Sequence, residues 1–398
     1  MRRFVLVLFF FLFLAGGGIR LVAAEGDGPA VEAPQAGAVL CPSGMALAGL
    51  PDCLRLGAAG YAEQMSEKGL TFPLRPLPAV KPDASLAAVD FYYARLKDDV
   101  DTPVFSTLDD AMLGKNPTYY IAHGPLRFIS YINTHNADGG DKPHYFQLRD
   151  GNWVTADSVA SRVGAVPRFQ GMIFSRTPAN AFGWIIPLNP TAETKRTPGF
   201  AQNDLTGQVY SEYDLVQVYD VQTVDGAEWV MLGPDEWLEA RLVGTVTPRT
   251  APPEGVSGLR WIEVNLDEQT LAVYDGGQMA YATMIATGLE PFWTRPGTFQ
   301  IREKLEQTMM RGTFEADQSD FYYLEDVPWT MYFDGARALH AAYWRARFGF
   351  AQSHGCVNLA PGDAHWLFDW AQVGDPVYVW DPSGKTPTDP SLYSSGAP

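Results

Sequence analysis

Cysteine, histidine and basic charge are scarce in this chain, and each scarcity narrows what it can do. Lysine and arginine number 29 against 46 aspartates and glutamates, a formal net charge of −17, and no basic run appears. An acidic chain without such a run is poorly suited to nucleic acid or anionic membrane. The apolar stretch Phe4–Ala15 is twelve residues long, short of the roughly 20 needed to span a bilayer. Preceded by Met1-Arg2-Arg3 and followed by Val22-Ala23-Ala24, it has the three zones of a secretory signal peptide, with cleavage expected after Ala24. Removing residues 1–24 takes away three arginines and no acids, so the net charge becomes −20. The expected product is exported, periplasmic or wall-associated, with no stable membrane span. His123, His135 and His144 are not spaced as metal ligands and read as solvated loop positions, and His365 reads as the face of a helix. Neither a metal nor a cofactor is expected.

The three cysteines are Cys41, Cys53 and Cys356. In an oxidising compartment the first two are close enough to close a small loop, which leaves Cys356 as an odd thiol. An exported protein that keeps one free cysteine has a use for it. Intermolecular pairing is the competing reading, and the flanks of Cys356 argue against it.

A length of 398 residues allows roughly two to four domains, and punctuation places their boundaries. Residues 25–85 read as leader and linker around a Cys41–Cys53 disulfide, with prolines at 73, 76, 78 and 82. From about residue 86 to 246 short strands rich in Val, Tyr, Phe and Trp alternate with turns. Inside that stretch Leu148, Trp153, Ala156 and Val159 recur with identical spacing as Leu232, Trp237, Ala240 and Val243. Both copies resemble the end of bacterial SH3-like domains, which implies two small β-barrels at 86–164 and 165–250. Pro248, Pro252 and Pro253 mark a linker, taken as 251–258. A further domain runs from 259 to 382, and a polar, proline-containing tail, 383–398, reads as flexible.

That last domain carries the chemistry. Ser353-His354-Gly355-Cys356-Val357-Asn358-Leu359 places a thiol two residues after an imidazole and next to a glycine. Cysteine attacks as the thiolate, and a neighbouring imidazolium lowers its pKa. Gly355 permits turns closed to other residues, and amides beside it are placed to receive an oxyanion. A small buried thiol beside a satisfied histidine is the bland alternative.

Two alternating strands in Trp261-Ile-Glu-Val-Asn-Leu-Asp-Glu-Gln-Thr-Leu-Ala-Val-Tyr-Asp-Gly-Gly, the segment Thr294-Arg-Pro-Gly-Thr-Phe-Gln-Ile, and His340 upstream of Ser353-His-Gly-Cys-Val-Asn-Leu together resemble the L,D-transpeptidase catalytic domain. The resemblance implies a mainly β chain, in which a β-sandwich catalytic domain with few helices follows the SH3-like modules. By position it makes Cys356 the nucleophile and His340 the base, held through the carbonyl of Ala341. His354 becomes a supporting group, Ser353 orients the loop, and the amides of Gly355 and Cys356 receive the oxyanion. Asn358 stands where many members carry arginine, so Arg345 and Arg347 become candidates for a substrate carboxylate. Tyr343 and Trp344 read equally as groove lining or as core. Arg295 also departs from the usual Thr-Pro-x-Gly, with the turn residues Pro296 and Gly297 kept.

The implied partner is peptidoglycan, with a tetrapeptide stem as donor and a second stem as acceptor, and the implied probe is a carbapenem adduct on Cys356. The same site is compatible with L,D-carboxypeptidase action or with attachment of a protein to the wall. A non-catalytic wall-binding protein and a zinc site of His340, His354 and Cys356 are the rivals from other classes.

Overall fold

A computed structural model describes residues 77–393, apart from 141, 165–169, 187–190, 201–203, 314 and 316–318. The expected signal peptide, leader and Cys41–Cys53 disulfide lie outside the described residues. The chain is mainly β, and its described α-helices are Leu108–Leu113 and Pro361–Trp370. No described helix is long and apolar enough to cross a membrane.

The region from residue 259 is a two-sheet sandwich. Trp261–Asn265 pairs antiparallel with Thr270–Asp275, which pairs antiparallel with Gln278–Met284 through a turn at Gly276 and Gly277. Both glycines have positive φ, 58° and 76°, which the turn geometry demands and which other residues rarely adopt. The last strand, Pro376–Trp380, returns parallel to Trp261–Asn265. The facing sheet contains the long hairpin Glu303–Gly312 and Tyr322–Asp334, then Arg337–Ala341, then Val357–Leu359. Ile262, Val264, Leu271 and Val273 of one sheet meet Met331, Phe333, Leu339, Val357 and Leu359 of the other, with Ala364 and Leu367 of the helix closing the core. These buried side chains alternate along their strands, as the period of two requires.

The preceding segments are not separate beads. Ala79–Val80 and Met172–Phe174 extend the first sheet, with Tyr281 opposite Ile173 and Ala282 opposite Met172. Leu126–His135 joins the second sheet in parallel, pairing Leu126, Arg127 and Phe128 with Tyr322, Tyr323 and Leu324. Strands from the regions assigned to linker, first module and second module therefore cover edges of the catalytic sheets, edges that otherwise expose unpaired backbone groups. Each module also has a core of its own. Leu96, Val104, Ile129, Leu148 and Val154 build the first, and Ile185, Val216, Val230, Leu238 and Val243 the second.

The internal repeat produces one local structure twice. Trp153–Thr155 runs through a 3-10 turn at Ala156–Ser158 into Val159–Arg162, and Glu236–Glu239 runs through Ala240–Leu242 into Val243–Val246. In both, the valine amide closes the turn on the alanine carbonyl. The tail read as flexible is held as far as it is described. The Asp381 carboxylate accepts from the amides of Ser383 and Thr386, and the Tyr393 ring lies 5.4 Å from the Arg337 guanidinium.

One buried carboxylate ties these parts together. Asp363, in the first turn of the helix Pro361–Trp370, accepts from Tyr281 Oη at 2.7 Å, Thr283 Oγ1 at 2.6 Å and the amides of Gln170 and Gly171. Burial still pushes its pKa up, to about 6, despite these donors. Asp363→Ala orphans four donors, so denaturant unfolding should show a loss of about 3 kcal/mol or more. Because the native carboxyl binds its proton more tightly than the unfolded one, its stabilisation is present below about 3.8 and declines as pH rises through about 6. The deficit of the variant should accordingly be larger at pH 4 than at pH 8.

Candidate active site

Strand register builds the site. Arg337–Ala341 and Val357–Leu359 run parallel with His340 opposite Asn358, and Cys356 is the residue before the second strand. The loop ahead of Cys356 is anchored from behind: Ser353 N donates to Thr287 O, and Ala286 and Asn358 exchange both backbone hydrogen bonds. Gly355 has φ 113°, and a Cβ there would lie 3.1 Å from Arg337 Nε, so both conformation and space select glycine. Thr294 Oγ1 accepts from Gly288 N and donates to Gly355 O, each at 2.9 Å, pinning the peptide that precedes Cys356. In sequence this segment contributes to the family resemblance and to a turn at Pro296 and Gly297, with no role given to Thr294 itself. Its signal was a threonine at the head of Thr-Arg-Pro-Gly.

Ser353 orients the loop directly. Its Oγ donates to Cys356 O at 2.6 Å and accepts from Gly355 N at 3.1 Å. The second bond occupies one of the two amides expected to receive an oxyanion. The amide of Cys356 is the one left for that task.

His340 is buried, 2% exposed, and its two nitrogens have different partners. Nδ1 lies 2.9 Å from Ala341 O, and Nε2 lies 3.1 Å from Asn358 Nδ2. Arg345 Nε donates to Asn358 Oδ1 at 2.5 Å. A guanidinium only donates, so the Asn358 oxygen must face Arg345 and its amide nitrogen must face His340. The imidazole therefore carries its proton on Nδ1 and presents a lone pair at Nε2, and the carbonyl of Ala341 at the other end requires the same tautomer. This chain answers the Asn358 departure: the guanidinium is present one link away, on Arg345. Both terminal nitrogens of Arg345 are committed as well, Nη1 to Gln352 Oε1 at 3.1 Å and Nη2 to Gln352 O at 2.6 Å.

Electrostatics correct one expectation. No imidazolium stands beside the thiol. Burial pushes the His340 pKa down to about 4, helped by the charge of Arg345 and opposed by Ala341 O. Burial lowers His354 too, and its ring packs between Phe292, at 4.8 Å, and Tyr322, at 6.0 Å. Proximity in sequence made His354 the obvious partner of Cys356, but its ring is part of an aromatic wall. The Cys356 thiol is raised by burial, against the opposing pull of the Ala338 amide and the Arg337 charge. It donates weakly to Ala336 O at 3.7 Å. The resting pair is thus neutral thiol and neutral imidazole.

Cys356, His340, His354, Ser353, Asn358, Trp344 and Arg345 share one cavity of about 410 Å³, walled on its other side by Met309, Met310, Arg311 and Tyr322 of the hairpin and by Leu126 of the first module. Two expected lining residues are elsewhere. Tyr343 lies in the core, its ring stacked on Tyr93 and its hydroxyl donating to Glu325 O at 2.8 Å. The Trp344 ring packs edge-to-face on Tyr343, centroids 4.8 Å apart, and it is Trp344 that lines the cavity. Arg347 pairs with Glu212 at 3.3 Å on the surface. Among the described residues no three His, Cys, Asp or Glu side chains converge as metal ligands.

Residues 259–379 match the YkuD family, the L,D-transpeptidase catalytic domain. The chain carries an L,D-transpeptidase catalytic domain. It is 27% identical over 248 residues to L,D-transpeptidase 1 of Mycobacterium tuberculosis, covering 57% of this chain and 92% of that protein. Among solved structures it is similar to the catalytic domain of an E. faecium L,D-transpeptidase, at 28% identity over 32% of this chain and 99% of that one, with a TM-score of 0.28. It is also similar to an L,D-transpeptidase from Stackebrandtia nassauensis, at 26% identity over 33% of this chain and 59% of that one, with a TM-score of 0.26.

Within this transpeptidase domain the Asn358 amide occupies the Nε2 lone pair of His340. A donor on Nε2 favours the neutral ring, so Asn358→Ala should raise the His340 pKa from about 4, moving the acid limb of the activity profile upward by on the order of one unit. An unmoved limb would show that Asn358 does not tune the base. Alkylation of Cys356 should speed up with pH to a midpoint above that of an ordinary thiol, since burial raises it. A midpoint below pH 7 would establish a stable thiolate–imidazolium pair instead.

Proposed function

We propose that the protein is an exported L,D-transpeptidase that cross-links peptidoglycan stem peptides through a thioester on Cys356. The observation that carries this reading is the register of His340 beside the strand that follows Cys356, on one cavity wall, within a domain of that family. Cys356 attacks the carbonyl of the third residue of a tetrapeptide stem. Its proton passes to His340 Nε2 once the Asn358 amide has turned from that lone pair towards substrate. The oxyanion of the tetrahedral intermediate is received by the Cys356 amide, collapse expels D-alanine, and His340 returns the proton to the leaving amine. An amine of a second stem then attacks the thioester, and His340 repeats both transfers in the opposite sense. Because thiol and imidazole start neutral, proton transfer accompanies attack rather than preceding it.

Water in place of the acceptor amine gives L,D-carboxypeptidase action, and a protein amine gives wall attachment. The three outcomes share every step up to the thioester. The repeat modules are proposed to be SH3-like domains that bind wall or position the catalytic domain, and the contribution of Leu126 to the cavity supports the positioning role. Cys356→Ala should abolish release of D-alanine from purified muropeptides, and His340→Ala should slow it by about 10²–10⁴-fold. Exposure to a carbapenem should add one acyl group to the intact protein and none to the Cys356→Ala variant, read by mass spectrometry. Release of D-alanine by Cys356→Ala at the wild-type rate would overturn the reading.

A further inference from the structure

Three charged side chains form one series of contacts behind the loop that carries Cys356. Arg295 Nε donates to Asp334 Oδ2 at 2.9 Å and its Nη2 to Asp334 Oδ1, and Arg337 Nη1 donates to Asp334 Oδ2 at 3.2 Å. Two guanidiniums share one carboxylate, so the trio holds one positive charge in excess. The side chains of Arg337 and Asp334 are 9% and 10% exposed, which leaves that end of the series weakly screened. The Tyr393 ring lies over the Arg337 guanidinium, 5.4 Å away.

Distances place Arg337 against the peptide that precedes Cys356. Arg337 begins the strand on which Leu339 lies opposite Val357, and two positions earlier on each strand Arg337 stands beside Gly355. A Cβ on Gly355 would be 3.1 Å from Arg337 Nε and 3.6 Å from its Cδ, so the missing side chain is what lets the arginine lie there. Cys356 Sγ in turn donates to Ala336 O at 3.7 Å, and the thiol is thus held over the turn from which Arg337 departs. Burial pushes the thiol up, and the Ala338 amide and the Arg337 charge oppose it.

The other ionisable groups at the thiol are already accounted for. Burial lowers His340 and His354 and raises Tyr322 and Tyr332, and Arg345 is bound by Asn358 and Gln352. Arg337 differs because its charge is shared, through Asp334, with Arg295, which lies outside the cavity lining.

We propose that Arg337 is a positioning residue for Cys356, holding the Gly355 peptide and drawing negative charge onto the sulfur from behind it, with Asp334 weakening that pull and Arg295 restoring part of it. The inference rests on the acyl-transfer reading above, in which that sulfur is the attacking atom. It gives Arg295, the departure in Thr294-Arg-Pro-Gly, a part in the chemistry through Asp334.

Thiol titration tests this without substrate. The full chain is alkylated with iodoacetamide over a pH series, and modification of Cys356 is followed by peptide mass spectrometry. Arg337→Gln should raise the midpoint by on the order of half a pH unit or more, and Asp334→Asn should lower it by a similar amount. Arg337→Lys should recover part of the shift, and Arg295→Gln should raise the midpoint by less than Arg337→Gln. Opposite signs for the two partners of one ion pair distinguish tuning from bracing, since loss of a brace damages the loop whichever partner is removed. An unmoved midpoint in Arg337→Gln, or shifts of the same sign in Arg337→Gln and Asp334→Asn, would overturn the assignment. Arg295→Gln, at the more exposed end of the series, serves where Asp334→Asn does not fold: a lowered midpoint there overturns it equally. Turnover is read separately on wild type, and shifts of the expected signs without any D-alanine release leave the tuning of the thiol standing and defeat the acyl-transfer reading.

Discussion

The site depends on one parallel strand pairing. With His340 opposite Asn358, the imidazole, the side-chain amide and the Arg345 guanidinium fall into a single donor-to-acceptor series that ends on the Ala341 carbonyl. Every link has a fixed direction, because the guanidinium can only donate and the carbonyl can only accept. A slip of one residue would turn His340 to the opposite face of its sheet and break the series at two points. The remaining features serve to hold that register: the bridges of Asn358 to Ala286, the Thr294 hydroxyl on the Gly355 carbonyl and the Ser353 hydroxyl on the Cys356 carbonyl.

Burial of this pair decides its chemistry. A thiolate and an imidazolium would each lose solvation in a site where His340 is 2% exposed, and the attractions that could compensate are one amide and one guanidinium acting on the sulfur. Desolvation wins for both groups, so the neutral pair is the ground state. On the acyl-transfer mechanism proposed above, charge develops only as the tetrahedral intermediate forms, where fixed donors act most strongly on it. On the same proposal the Arg337 and Arg345 guanidiniums of the cavity favour negative charge on the oxyanion without requiring the resting thiol to ionise.

Much of this was legible in the chain because it is local. The Asp275-Gly276-Gly277 turn, the helix beginning at Pro361 and the strand, turn and strand of each repeat all follow from neighbouring residues. So did the pairing of a distant histidine with the cysteine motif, through its resemblance to a family. What escaped depends on contacts between segments far apart. Arg345 and Arg347 are indistinguishable as neighbours in sequence, and only the fold gives one to Asn358 and the other to Glu212. His354 is only two residues from Cys356 in sequence, yet its ring faces Phe292 and Tyr322. Gly355 is expected from sequence to offer its amide to an oxyanion, and in the fold that amide donates to the Ser353 hydroxyl.

The strand pairings that cross the expected domain boundaries were illegible for a related reason. Prolines mark where a chain cannot continue a helix or a central strand, but they say nothing about which strand edges later meet. The parallel pairing of Leu126–Phe128 with Tyr322–Leu324 crosses almost 200 residues. Once formed, it makes the hairpin Glu303–Gly312 and Tyr322–Asp334 a shared element: it belongs to the catalytic sheet, and the Tyr322–Leu324 edge is covered by the first module. Leu126 then enters the cavity as a consequence of that pairing rather than as an added contact. The segment that matches the family holds the reacting groups. The wall opposite them is completed from outside it, so the shape of the substrate site is a property of the catalytic domain and the first module together.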